Sequence, residues 1–192
     1  MYFSRIFIKS LGIIVLILLN SCQEKNNKFV GMDRSPDKIY IESPIEARLK
    51  IEKEDNNLIA ILTFINMSDE DVIINRQRLG GNKLTDNIFH LSPKQAGINL
   101  TFKPKIKEST EYLVIKPQEV ITTQTSLKEY YDFDELKYDS ITIGYTNPIP
   151  YLDKDHQQIK QKYTDDKMKP VFFLVKTNKV RLDYTKDIKP YL

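Results

Sequence analysis

The stretch IEARLKIEKE (Ile45 to Glu54) alternates apolar and charged residues, so an extended chain carries Ala47, Leu49 and Ile51 on one side and Glu46, Arg48, Lys50 and Glu52 on the other. That is the pattern of a strand buried on one face. The same period of two runs from Lys38 onward, broken by turn residues at intervals of about ten positions. The turn EDNN leads into LIAILTFIN (Leu58 to Asn66), which is apolar on both faces and is therefore expected as a central strand. MSDED then turns into VIIN (Val72 to Asn75). NIFHLS, INLTFKP, EYLVI, EVITTQTSL, SITIGYT and VFFLVKTNKVRLDY complete a series of about eight or nine strands. Helix is expected only as a turn around SLKEYYDF and in the polar stretch LDKDHQQIKQKY. Many short strands without alternating helices predict an all-β chain folded as an antiparallel β-sandwich.

The chain has a single cysteine, Cys22, and it stands at the end of an apolar run. Arg5 and Lys9 precede SLGIIVLILLNS, an apolar core of about a dozen residues, which is the layout of a secretory signal and is shorter than the roughly 20 residues of a membrane span. The tetrad Leu19-Asn20-Ser21-Cys22 resembles the lipobox of bacterial lipoproteins, with Asn20 in a slot more often filled by Ala or Ser. The resemblance implies cleavage after Ser21 and diacylation of Cys22, so that the membrane is a partner through a lipid anchor and is not spanned. The alternative is an ordinary signal peptide, or a buried helix, carrying a stray thiol. Residues 1–21 are thus expected as signal peptide and 22–36 as a flexible tether, polar in QEKNNKFVGMDRSPDK. Gln23 follows the cysteine where an Asp signals inner-membrane retention in enterobacteria, and its presence implies a place in the outer membrane.

Arg5 and Lys9 leave with the signal, so 29 basic side chains become 27 against 26 acidic ones. A nearly neutral mature chain gives no ground for a nucleic-acid partner, which calls for basic residues gathered on one face. What remains is enough for one domain with a core of its own, expected over 37–185, with 186–192 as a tail.

One block carries a second resemblance. In Glu111 to Phe133, EYLVIKPQEVITTQTSLKEYYDF, a strand ends at Lys116-Pro117, Glu119 begins the next, and that strand closes on Leu127 before an aromatic turn. This is similar to the Ig-like pro-domain that precedes deuterolysin and peptidyl-Lys metallopeptidases and that occurs in stand-alone bacterial lipoproteins. Tyr112, Ile115, Pro117 and Glu119 match its first part, Ile121, Thr123, Thr125 and Leu127 its second, and Tyr131-Asp132 its turn. Gln118 stands where the family has Gly, and Thr125 where it has an aliphatic residue. The resemblance implies an Ig-like sandwich and, by analogy of fold, a chaperone or inhibitor of a secreted protease.

The peptidases of that family bind zinc through an H-E-x-x-H helix, which this chain lacks: its histidines, His90 and His156, have no matching partner. His90 reads as a packed or surface residue of a strand. Asp153 and Asp155 beside His156 suggest at most a surface cation. There is no G-x-S-x-G elbow and no phosphate-binding glycine loop. The carboxylates of Asp69-Glu70-Asp71 and Asp165-Asp166 lie in turns, where they bond turn amides. Accordingly no catalytic residue, metal or cofactor is assigned.

Two surfaces remain for a protein partner. Asn147 to Pro170 is far longer than a hairpin connection of about two to five residues, and its opening NPIPYL offers Ile149, Tyr151 and Leu152 on a stiff backbone. The competing reading is an ornamental loop packed on the sandwich end. RQRLGGNKLTDN gathers Arg76, Arg78 and Lys83, against the reading of a solvated basic turn. The expectation is a non-catalytic, lipid-anchored binding or accessory module of the bacterial envelope. Its rivals are a structural part of an envelope complex and a hydrolase with an unrecognised site.

Overall fold

The computed structural model describes residues 37–191, except 55, 95–98, 108, 134–139 and 163–165. The signal, Cys22 and the tether lie outside the described residues. Strands β2 (Ile45–Glu54) and β3 (Asn57–Asn66) form a hairpin in register from Ile45 opposite Asn66 to Glu54 opposite Asn57. Its tight turn is closed by Asn56 at φ +63°, a left-handed position that asparagine tolerates better than most residues. β3 also pairs along its other side with β7 (Val120–Ser126), so the strand with two apolar faces is the central one, as expected. Ala47, Leu49, Leu58, Ala60, Leu62 and Phe64 point from this sheet into the core.

The facing sheet is built on β8 (Ser140–Pro150). β5 (Phe89–Pro93) pairs with one side of it. β10 (Met168–Lys176) and β11 (Val180–Asp183) lie end to end on the other. Lys176 is opposite Thr146 and Val180 is opposite Ile143, so three residues, Thr177 to Lys179, face two. VFFLVKTNKVRLDY is therefore one strand with a β-bulge, a device that redirects the side chains at the extra residue. β9 (Lys160–Lys162) adds to the start of β10, and β1 (Ile39–Ile41) pairs with β10 in parallel, an exception to the antiparallel expectation. A short ribbon of β4 (Val72–Asn75) and β6 (Tyr112–Ile115) completes the fold.

The two larger sheets meet through aromatic rings. Phe64 stands edge-on to Tyr145 at 5.6 Å, and Phe89 is edge-on to both Tyr145 and Tyr131. Edge-to-face pairs of this kind add to what the buried area supplies. Both phenols have partners: Tyr145 Oη donates to Arg78 O at 2.8 Å, and Tyr131 Oη donates to Asn87 Oδ1 at 2.8 Å. Burial pushes both above the ordinary phenol range, because a phenolate there would lose its hydration. The result is an all-β, sandwich-like fold.

SLKEYYDF contributes the one helical turn expected of it, Leu127–Tyr130. Three local expectations change. Among its described residues INLTFKP forms a single bridge, Phe102 to Tyr131. LDKDHQQIKQKY is not helical; it holds the bridge from Leu152 to Gln158 and then β9. Of the segment 186–192, expected as a tail, Ile188 is completely buried against the core by a wide helical turn, Tyr184–Ile188. One apolar residue in one turn has no periodicity from which to read this.

Candidate functional site

The long connection after β8 turns inward. Ile149 is fully buried, in register with Phe173, which removes it from any exposed patch. Pro148 and Pro150 belong to the strand: β5 reaches only as far as Tyr145, so beyond that point β8 has a strand on one side alone and the missing N–H groups cost no ladder bond. Tyr151 is edge-on to Phe173 at 6.2 Å and half-buried; burial, and then the Glu70 carboxylate, push its phenol up. Leu152 is half-buried at its bridge with Gln158. Further on, Asp153 Oδ1 accepts from the N–H groups of Asp155 and Gln157, and the His156 ring, at a left-handed φ of +61°, stacks on Tyr112 at 4.5 Å. The connection is thus folded down over the β4–β6 ribbon and does not present the apolar surface expected of it.

The other histidine, His90, is exposed, its Nε2 3.1 Å from Thr146 O. No group of three or more His, Cys, Asp or Glu that could hold a metal occurs among the described residues.

RQRLGGNKLTDN is where a site forms. Asn75 Oδ1 accepts from Gln77 N at 3.0 Å and caps a short helical turn, Arg76–Arg78. Its Nδ2 donates to Ser109 O, Ser109 N donates to Gln77 Oε1 at 2.7 Å, and Arg76 N donates to Glu111 O at 2.9 Å. The segment entering β6 is thereby stapled to this turn. The chain then reverses through Gly80 at φ +79° and Gly81 at φ +122°. A Cβ on Gly80 would lie 3.2 Å from Thr125 Oγ1 and 3.3 Å from Ile88 Cδ1, so this position needs glycine for space as well as for φ. Thr123 Oγ1 donates to Leu79 O at 2.5 Å, and Thr125 Oγ1 accepts from Gly81 N at 3.0 Å while donating to Gly81 O at 3.2 Å.

Between these walls lies an open groove of about 760 Å³, within the size range of ligand sites. Ile121 to Gln124 of β7 line it together with Arg76, Ser109, Glu111 and Leu113, the glycine loop and Lys83. The two arginines part company here. Arg78 pairs with Asp86, which is only 9% exposed, and so serves the fold by compensating a buried carboxylate. Arg76 and Lys83 are exposed and make no ion pair with a described residue. Leu113 and the edge of β7 have no signal in the sequence, and Ile121 enters there only through the pro-domain resemblance; EVITTQTSL reads as a strand, but only the topology makes it an edge.

The chain matches no protein-family model and no curated protein.

Proposed function

We propose that this chain is a lipid-anchored binding module of a bacterial cell envelope, held to the membrane through Cys22 and gripping a protein partner in the groove beside β7. The observation that carries the reading is the groove itself: a recess whose lining includes two exposed cations, Arg76 and Lys83, that make no ion pair with a described residue. Charges at a rim steer encounter and select partners more than they add raw affinity. Cys22 enters through the Leu19-Asn20-Ser21-Cys22 tetrad. The similarity of Glu111 to Phe133 to peptidase pro-domains makes a secreted protease the first partner to test. The groove offers a recognition surface, and binding without catalysis is the role assigned to it.

Crosslinking in living cells tests the reading with three forms of the full-length chain: native, Cys22→Ser, and Arg76→Glu with Lys83→Glu. The native chain should take up labelled palmitate and crosslink to one protein; the first variant should lose the label, and the second should lose the crosslink while keeping its circular dichroism spectrum. Palmitate in the Cys22→Ser chain, or a crosslink indifferent to the charge reversal, would overturn it.

A further inference from the structure

The two edge strands of the three-stranded sheet are treated differently. On β2 the N–H and C=O of Leu49 are closed by the side chain of Asn178, and the outward row Glu46, Arg48, Lys50 and Glu52 puts charge along the edge. Natural sheets protect their edges in these ways, because an open row of backbone groups is a template for another strand. Among the described residues β7 has no such cover. It pairs with β3 from Val120 to Ser126, and on its other side none of its backbone groups bonds to a described residue. The neighbouring glycine loop is held by the hydroxyls of Thr123 and Thr125 and leaves the backbone of β7 unused.

We propose that the groove takes an extended acidic peptide segment as an added strand on β7, which deepens the binding function proposed above and rests on it. Three features of the recess describe the occupant. The unpaired backbone of β7 supplies a ladder of donors and acceptors, which only an extended chain can match along its length. Successive side chains of such a strand point to opposite sides, so alternate residues meet the apolar Leu113 and Ile121 while the others look outward. Arg76 and Lys83 outnumber the one lining carboxylate, Glu111, and favour an acidic segment.

The test is hydrogen–deuterium exchange on the full-length lipoprotein in detergent micelles, with millimolar acetyl-VEVEVT-amide as probe and acetyl-VKVKVT-amide as its charge-reversed counterpart. The acidic peptide should slow exchange across residues 120–126 by at least tenfold and bind at least tenfold more tightly than the basic one. In the Arg76→Glu, Lys83→Glu chain the preference should invert, and since both side chains are exposed the fold is expected to hold. No protection of 120–126, or equal protection by the two peptides, overturns the proposal. Protection that rises with protein concentration in the absence of peptide also overturns it, giving the edge to a second copy of the chain. A cellular crosslink that depends on Arg76 and Lys83, together with an unprotected β7, refutes strand addition and leaves the binding face standing. Protected β7 with no cellular crosslink does the reverse.

Discussion

The side chain of Asn178 closes both backbone groups of Leu49: Asn178 Nδ2 donates to Leu49 O at 2.9 Å, and Leu49 N donates to Asn178 Oδ1 at 2.9 Å. The bulge at Thr177 to Lys179 aims it there, so a residue of one sheet plugs the edge of the other. Asn178 is itself exposed, so water can take the place of its amide at the edge. Asn178→Ala should therefore cost about 0.5–1.5 kcal/mol, read as a lower urea midpoint at unchanged slope. It should also make the protein more prone to associate, since it opens an edge the native chain keeps shut.

Asn66 is the heaviest polar tie in the core. It is wholly buried; Nδ2 donates to Glu70 O and Ile115 O at 2.7 and 2.8 Å, and Oδ1 accepts from Ser68 N and Ser68 Oγ. Its backbone joins Glu119 and Gln118 as well, so one residue fixes the ends of β3, β4, β6 and β7. Asn66→Ala should cost about 3 kcal/mol by chemical denaturation, because it orphans several buried groups at once. Asn66→Asp keeps the acceptor and loses the donors, and should be nearly as damaging.

Gln118 follows Pro117 in the turn between β6 and β7 and has φ +61°; Glu119 N donates to Lys116 O at 3.0 Å across it. Proline and then a left-handed residue is the requirement of a type II turn, whose third position favours glycine. Gln118→Gly relieves the left-handed strain while keeping the N–H that bonds Asn66 O, and should stabilise the protein by about 0.5–1 kcal/mol. Thermal unfolding reads this as a higher midpoint.

The Asp187 carboxyl is held below the usual carboxylate range, chiefly by its hydrogen bond from Lys53 at 2.5 Å and then by the N–H of Asp183. A depressed acid contributes stability above its unfolded value, near pH 4, and loses it as pH falls through the folded value. The pair is partly exposed, so the contribution is below about 1 kcal/mol. The stability gap between native and Asp187→Asn proteins should be constant at neutral pH and should narrow as the pH falls below about 4, measured by urea titrations at each pH.

Alternation made the large strands legible: Ala47 and Leu49 lie inward as IEARLKIEKE requires, and β3 is central because both of its faces are apolar. What misled was local chemistry overridden by tertiary context. Pro148 and Pro150 look like loop residues, yet they sit where β8 has one neighbour only, and that hid Ile149 in the core. Ile39 and Ile188 each enter the core from segments too short to show a period. Arg76 and Lys83 could be named from their clustering, whereas the loss of Arg78 to Asp86 and the open edge of β7 depend on contacts between segments distant in sequence.

The most direct test of groove recognition is site-resolved photocrosslinking in cells, with benzoylphenylalanine placed at Gln124 beside the groove or at Lys50 on the protected sheet edge. Both positions are exposed. Recognition through β7 predicts one crosslinked protein from position 124, none from position 50, and loss of the product with Arg76→Glu and Lys83→Glu. Equal products from both positions, or products from position 50 alone, would contradict it.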